Sequence, residues 1–357
     1  MRSFCLKIAL GLSLISCSNK PEEELSKSFF ALMGFDKSVW KFVATDREYD
    51  SLQYFQALYA RNKEVLFDET GENRIPKVIH FIWLGSRPFP EDSVANVVSW
   101  IKRHPHWKVQ LWTDRPRPLP HPSMEVRFVE DFEFLQLRSF FDKSKNTGEQ
   151  SSLLRYEILY QEGGVAVDHD VECFNAFDPF QRLDFYCGLA PPSCSTLSSA
   201  ISICQSVVAA RPQHPILGKS IELITRYWDD VTDRCGGNSW ESIMHRVNGR
   251  TTLRFAEAIE LVGAKQKDKN IIFPAGFFNK IDGDFGLYAH HKHQVTWLNY
   301  ETRFERDTRR ELDYLKRKNT SIFALTLILF VLVVCLGGIS FRCYRLLQRA
   351  VKDQERP

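Results

Sequence analysis

Asp168 and Asp170 stand one residue apart, directly after Gly163-Gly164-Val165-Ala166-Val167. Two carboxylates this close offer hard oxygen donors to a divalent cation and leave positions open for phosphate oxygens. Mg²⁺ or Mn²⁺ held there would bridge a diphosphate leaving group and offset the charge that builds as its bond breaks. The same pair also reads as a solvated acidic turn or a helix cap. His290, His291 and His293 cluster late in the chain, but no partner spacing makes them a zinc site. Leu217-Gly218-Lys219-Ser220 has the ending of a phosphate-binding loop, yet Gln213 stands where the first glycine is required. No G-x-G-x-x-G or G-x-S-x-G occurs, and no side-chain nucleophile is identifiable.

These residues need elements to hold them. Val165–Val167 reads as a short buried strand, and in an open α/β sheet ligands bind beyond the carboxyl ends of strands. If the extended conformation continues through the acidic pair, alternation sends both side chains to one side. Ser151–Gln161 is an amphipathic helix, apolar at Leu153, Leu154, Ile158 and Leu159, and stops at Gly163-Gly164. Upstream, Ile75–Trp83 is a β-rich apolar run, Asp92–Lys102 a helix, and Trp107–Trp112 an alternating strand ending at Thr113-Asp114. Strand, helix and strand at this spacing predict a parallel βαβ unit. Residues 176–265 mix strands and helices. Residues 21–72 place Phe29, Phe30, Trp40, Phe42, Tyr54, Phe55 and Leu58 at helical spacing, which predicts two or three packing helices.

Ser152-Leu153-Leu154-Arg155-Tyr156, Leu159-Tyr160, Gly163-Gly164 and Asp168-His169-Asp170 together resemble the sugar-binding D-x-D region of retaining glycosyltransferases. The similarity is to the Och1-like mannosyltransferases and the catalytic domains of large clostridial glucosylating toxins. A second block agrees in order: Ile75 to Gly85, then Ser99-Trp100, Pro105 and Leu111-Trp112-Thr113-Asp114. A third runs from His290-His291 to Thr296-Trp297, so the resemblance spans about residues 75–300. It implies a GT-A fold, a Rossmann-like α/β domain on a mixed, mostly parallel sheet. It further implies that a UDP- or GDP-hexose is the donor, Mn²⁺ or Mg²⁺ the cofactor, and a glycan, lipid or protein hydroxyl the acceptor.

By the same resemblance, Asp170 is the direct metal ligand, and Asp168 shares the metal and holds ribose or sugar hydroxyls. His291, or its neighbours His290 and His293, completes the metal shell or holds phosphate. Arg155 meets sugar or diphosphate, Trp83 stacks on the base, Asp114 joins the nucleotide-sugar site and Trp297 caps the diphosphate. Asp168, Asp170 and Arg155 are thus the catalytic candidates. Plain readings stand beside these: a core tryptophan at 83, a local ion pair at Arg155, surface histidines at 290–293. The chain departs from the family at Ser152, where an aspartate is usual, at Ala166, where a bulky residue is common, and in a late motif one residue longer. Toxin-like modification of a protein and a noncatalytic membrane scaffold are the rival readings, the second resting on Ser152.

The ends are of another kind. Arg2 and Lys7 precede the apolar run Ile8–Ile15, as in an export signal over residues 1–17. Leu14-Ile15-Ser16-Cys17 resembles a bacterial lipoprotein box that would leave Cys17 lipidated. The alternatives are an unlipidated signal or an apolar first helix. Ile322 to Phe341 carries no charge and is long enough to predict a transmembrane helix. Lys316, Arg317 and Lys318 flank one side and Arg342, Arg345 and Arg349 the other, so the positive-inside rule barely chooses an orientation. With an export signal, the body would be extracytoplasmic. Glu305/Arg309 and Asp313/Arg317 make residues 301–321 a charged helical stalk, and 342–357 are a basic tail. The expected organisation is therefore signal 1–17, helical extension 18–74, catalytic domain 75–300, stalk, membrane helix and tail.

Composition sets the outer limits. The 357 residues are 44% hydrophobic and 25% charged, which excludes wholesale disorder, collagen-like repeats and a polytopic membrane protein. A net charge of +3 supplies no field to recruit nucleic acid. Cys173, Cys187, Cys194, Cys204 and Cys235 in the body show no C-x-x-C spacing and read as buried thiols.

Overall fold

The computed structural model describes residues 28–298 except 69, 194–198, 238, 265 and 266, together with isolated helical positions between 314 and 342. The chain divides into two compact units, Met1–Leu298 and Asn299–Pro357. The expected signal and Cys17 lie outside the described residues, and so does most of the stalk and of the expected 322–341 span. Among the described residues no helix is long and apolar enough to cross a membrane.

The described residues of the first unit begin with α1 (Phe29–Leu32) and α2 (Asp46–Asn62). A reciprocal capping box between Thr45 and Glu48 starts α2. Glu48 also accepts the Ala200 N–H at 2.9 Å, tying this helix to a distant loop. The backbone N–H groups of Ala44 and Ala200 hold its carboxyl down at about 2. The Asn62 amide donates to the Asn270 carbonyl and the Tyr54 hydroxyl to that of Ile259, so the N-terminal helices belong to the same packed body as the sheet.

Next come β1 (Val78–Trp83), α3 (Glu91–Arg103), β2 (Lys108–Thr113), β3 (Glu125–Phe128), α4 (Arg138–Lys143), α5 (Thr147–Gln161) and β4 (Gly164–Val167). The predicted βαβ unit is present, with β1 and β2 parallel from Val78↔Lys108 to Trp83↔Thr113. Helix α5 begins one turn earlier than its apolar pattern, because Asn146 caps it by accepting the Glu149 N–H. Then follow β5 (Val171–Cys173), β6 (Phe185–Leu189), β7 (Ile203–Ala210), α6 (Pro215–Arg234), α7 (Trp240–Arg250), α8 (Thr252–Val262), β8 (Asn270–Phe273) and β9 (Ala289–His291). The phosphate-loop-like Leu217–Ser220 lies inside α6 and is no loop.

The main sheet among the described residues has the order β3-β2-β1-β4-β7-β6-β8. β7 is antiparallel to both its neighbours and the other pairings are parallel, a mixed and mostly parallel sheet. All four residues of β4 are buried, as a central strand covered on both faces requires. Gly163 and Gly164 turn the chain from α5 into β4 with φ of +69° and +101°. A Cβ on Gly164 would stand 2.8 Å from both His80 Nε2 and the Val78 carbonyl, so the second glycine is required by close approach as well as by φ. His80 itself is fully buried and neutral in role: Nε2–H donates to the Gly163 carbonyl and Nδ1 accepts the Trp112 indole N–H.

Two features shape the end of the sheet that matters. β7 pairs Val208 with Cys187 but Cys204 with Gly188, leaving Gln205, Ser206 and Val207 unopposed on the β6 side. This bulge releases their carbonyls for other partners. A second, two-stranded antiparallel sheet pairs β5 with β9, setting Val171 opposite His291.

Candidate active site

The two aspartates lie where β4 ends, but not in extended chain. The Val171 N–H donates to the Asp168 carbonyl at 3.1 Å, closing a tight turn over Asp168-His169-Asp170. The strand alternation expected to aim both carboxylates is therefore corrected: a turn does it. The last ladder bond runs from the Asp168 N–H to the Ser206 carbonyl at 2.9 Å, within the β7 bulge.

Arg155, on the buried face of α5, donates from Nη1 to the Gln205 carbonyl at 2.8 Å and from Nη2 to Asp168 Oδ1. The same three-residue bulge thus anchors both members of the pair. Arg155 Nε is buried and has no hydrogen-bond partner. The local ion pair that sequence admitted for Arg155 exists, and its partner is Asp168 itself.

Asp170 is buried, 4% exposed. Its Oδ2 lies 3.4 Å from His291 Nε2 and accepts the Gln294 N–H at 2.8 Å. Burial alone would raise its carboxyl, but the His291 hydrogen bond and the charges of His291 and His169 outweigh it and hold the group below the usual range. For His291 the balance is mirrored: burial disfavours its charge, while the hydrogen bond and charge of Asp170 raise it well above the ordinary histidine value.

The β5–β9 ladder separates His290 from His291. With Val171 opposite His291, strand alternation turns His290 away, toward the Phe285 ring at 5.4 Å. One ligand atom each from Asp168, Asp170 and His291 lies within 4.8 Å of the others. Two carboxylates and an imidazole, one carboxylate buried, form a donor set that suits a divalent cation of the Mn²⁺ or Mg²⁺ kind.

Around this centre the remaining predicted residues fall unequally. Trp83 is 8% exposed, donates its indole N–H to the Arg87 carbonyl and packs edge-on against His169, centroids 4.8 Å apart. It is seated beneath the acidic turn. Asp114 receives the Gly85 N–H at 3.2 Å and Arg117 Nη2 at 3.0 Å, and so clamps the loop after β1. Trp297 rests over the start of α5: a Cβ on Gly148 would stand 2.4 Å from that of Trp297, and Asn146 donates to the Trp297 carbonyl at 2.8 Å. Ser152 donates back to the Gly148 carbonyl at 3.1 Å, an internal helix bond in place of the family's carboxylate.

Several residues carried no sequence signal. His169 is held by Ser93 Oγ on Nδ1 at 2.8 Å and Thr296 Oγ1 on Nε2 at 3.1 Å, which pins the turn between α3 and the late segment. Asn96 donates to the His169 carbonyl and accepts Lys292 Nζ. Cys204, Gln205 and Ser206 offered only a polar interruption in an otherwise apolar strand.

Comparison with known proteins finds similarity over the same part of the chain. Residues 90–184 match the family described as glycosyltransferase sugar-binding region containing DXD motif. An inositol phosphoceramide mannosyltransferase of Schizosaccharomyces pombe is 29% identical over 153 residues, which is 43% of this chain and 38% of the relative. A mannosyl phosphorylinositol ceramide synthase of Saccharomyces cerevisiae is 28% identical over 43% of this chain and 35% of its own length. The chain thus spans well under half the length of these curated relatives. The UDP-bound glycosyltransferase domain from the YGT toxin shares 10% identity over 57% of this chain and 80% of that one, with a TM-score of 0.41. Residues 90–184 are thus similar to the DXD-bearing sugar-binding region of glycosyltransferases.

Proposed function

We propose that the protein is a metal-dependent glycosyltransferase of GT-A type that moves a hexose from a nucleotide-sugar donor to a hydroxyl of a glycan, lipid or protein. The observation that carries this is the convergence of Asp168, Asp170 and His291 within 4.8 Å at the carboxyl end of the central strand. The match of residues 90–184 to the sugar-binding family supports the reaction class.

Asp168, Asp170 and His291 would hold the cation, and a bound Mn²⁺ or Mg²⁺ supplies charge stabilisation to the departing diphosphate. The chain's own residues do the rest. Arg155, fixed between Gln205 and Asp168, orients that carboxylate and presents positive charge beside the donor. Trp83 and His169 form the floor, while the segment carrying Thr296 and Trp297 lies over the turn. Holding donor and acceptor together in this geometry lowers the entropic part of the barrier. The sugar develops oxocarbenium character as the leaving group departs, and the acceptor attacks from the same face. That retention is implied by the family resemblance, and no side-chain nucleophile is invoked. The relatives' names support mannose as the sugar and an inositol-bearing lipid as acceptor. Anchoring to a membrane through residues 322–341 belongs to the same proposal.

The experiment is release of nucleotide from a panel of UDP- and GDP-sugars by the full-length protein, with and without Mn²⁺. Metal-dependent release lost in Asp170→Ala is expected, and the productive donor names the sugar. Folded protein that binds no donor would sink the enzyme and favour a scaffold. Screening lipid against protein acceptors then separates a glycolipid enzyme from a toxin-like one.

A further inference from the structure

Among the described cysteines, Cys204 has surroundings unlike the others. Cys187 is buried in the core, and Cys173 donates to the Asn175 carbonyl of its own loop. Cys204 Sγ instead lies 3.1 Å from Ser206 Oγ, 4.0 Å from Asn279 Oδ1 and 3.6 Å from His291 Nδ1. It reaches that position because the β7 bulge sets it opposite Gly188, where a Cβ would stand 2.7 Å from Phe278 Cδ2. The Phe278 carbonyl in turn accepts the His291 N–H at 3.0 Å. Backbone and side chain of His291 are therefore both held from the same corner of the sheet.

We infer that Cys204 is a positioning residue for His291, its sulfur holding the Nδ1 edge of the ring so that Nε2 faces the two aspartates as a metal donor. A thiol proton directed to Asn279 Oδ1 or Ser206 Oγ leaves a sulfur lone pair to accept Nδ1–H. A neutral ring that keeps its proton on Nδ1 has its free lone pair on Nε2, the atom beside Asp170. Ligating histidines need such an outer partner to fix ring and tautomer, and losing it typically costs ~10–100-fold in metal affinity. Here the usual carboxylate or carbonyl is replaced by sulfur, with Ser206 and Asn279 behind it. The inference rests on the metal site proposed above.

The test uses full-length protein carrying Cys204→Val, which keeps bulk and removes the acceptor, and Cys204→Ser, which keeps one. Free Mn²⁺ is titrated by electron paramagnetic resonance without nucleotide. Cys204→Val should weaken binding ~10-fold or more, toward the level of His291→Ala, while Cys204→Ser stays within ~3-fold of the parent. Long-range ¹⁵N–¹H spectra of the Mg²⁺-loaded protein, in which the cation displaces the proton that Nε2 otherwise directs to Asp170, should place the ring proton of His291 on Nδ1 in the parent and in Cys204→Ser. Parental Mn²⁺ affinity in Cys204→Val, or an Nε2–H ring in the parent, overturns the inference. A parent that binds neither Mn²⁺ nor Mg²⁺ overturns the metal reading, an outcome distinct from metal bound with parental affinity by Cys204→Val.

Discussion

The two ends of the central sheet carry the same residue types with opposite consequences. At the amino end of β6, Asp184 is fully buried and accepts Arg74 Nη1 at 2.9 Å, Arg211 Nε at 2.9 Å and the Lys269 N–H at 2.7 Å. Beside it, buried His214 donates from Nε2 to Asn270 Oδ1 and accepts the Ile216 N–H on Nδ1. Asp184 has its oxygens filled by the protein's own donors, so this end is scaffold. At the carboxyl end of β4, Asp168 has Arg155 as its side-chain ion-pair partner and remains 30% exposed, while Asp170, Asp168 and His291 turn ligand atoms toward one another. Aspartate, arginine and histidine make a site only where the protein leaves coordination capacity unspent.

Variants at each end test that contrast. The largest effect expected is on chemistry: Asp170→Asn should lower metal-dependent turnover at least ~100-fold, by analogy with losing one transition-state donor. Turnover of the parental size in that variant would collapse the distinction between the ends. Asp184→Asn should act on stability instead, costing about 3 kcal/mol in a denaturant titration, the lower part of the range for breaking a buried pair. The low end applies because Arg74 and Arg211 are 38% and 27% exposed and water recovers part of their charge. Turnover per folded molecule should stay within about twofold. Gly164→Ala, strained in φ and pressed against His80 and Val78, should cost roughly 2 kcal/mol and report on β4, which joins scaffold to site.

The smallest effect is on pH dependence. Burial pushes His214 down to about 4, with the Arg211 charge adding to it, and burial likewise pushes His80 down to about 4. In the unfolded chain these rings titrate near ~6.5. Between those values the unfolded state binds the protons and the folded state does not, so stability is full above ~6.5 and drains as pH falls toward 4. His214→Asn should flatten that slope by on the order of 1 kcal/mol in urea midpoints measured at pH 7 and pH 4.5. An unchanged slope would mean that His214 is not held neutral and that the scaffold end is less closed than its contacts indicate.

Much of the frame was legible because its signals are local. The apolar run ending at Trp83, the amphipathic stretch ending at Gln161 and the glycine pair before β4 each depend on neighbours a few residues away. The acidic pair is equally local, and it sits where a βα sheet exposes strand ends. Residue type suggests an extended path through it, because the turn bond between Asp168 and Val171 leaves no mark in residue type.

What escaped the sequence shares one property, which is separation along the chain. His290 and His291 are indistinguishable by type, and the ladder to Val171, some 120 residues earlier in sequence, turns the second inward and the first away. Cys204, Gln205 and Ser206 look like a flaw in an apolar strand, yet the bulge gives Asp168, Arg155 and His291 their partners. Residue order is enough to supply the chemistry, two carboxylates after a glycine-led strand with an arginine on the preceding helix. Which histidine joins them, and what holds it, depends on the folded chain, because strand register and bulges are set by packing across the whole sheet.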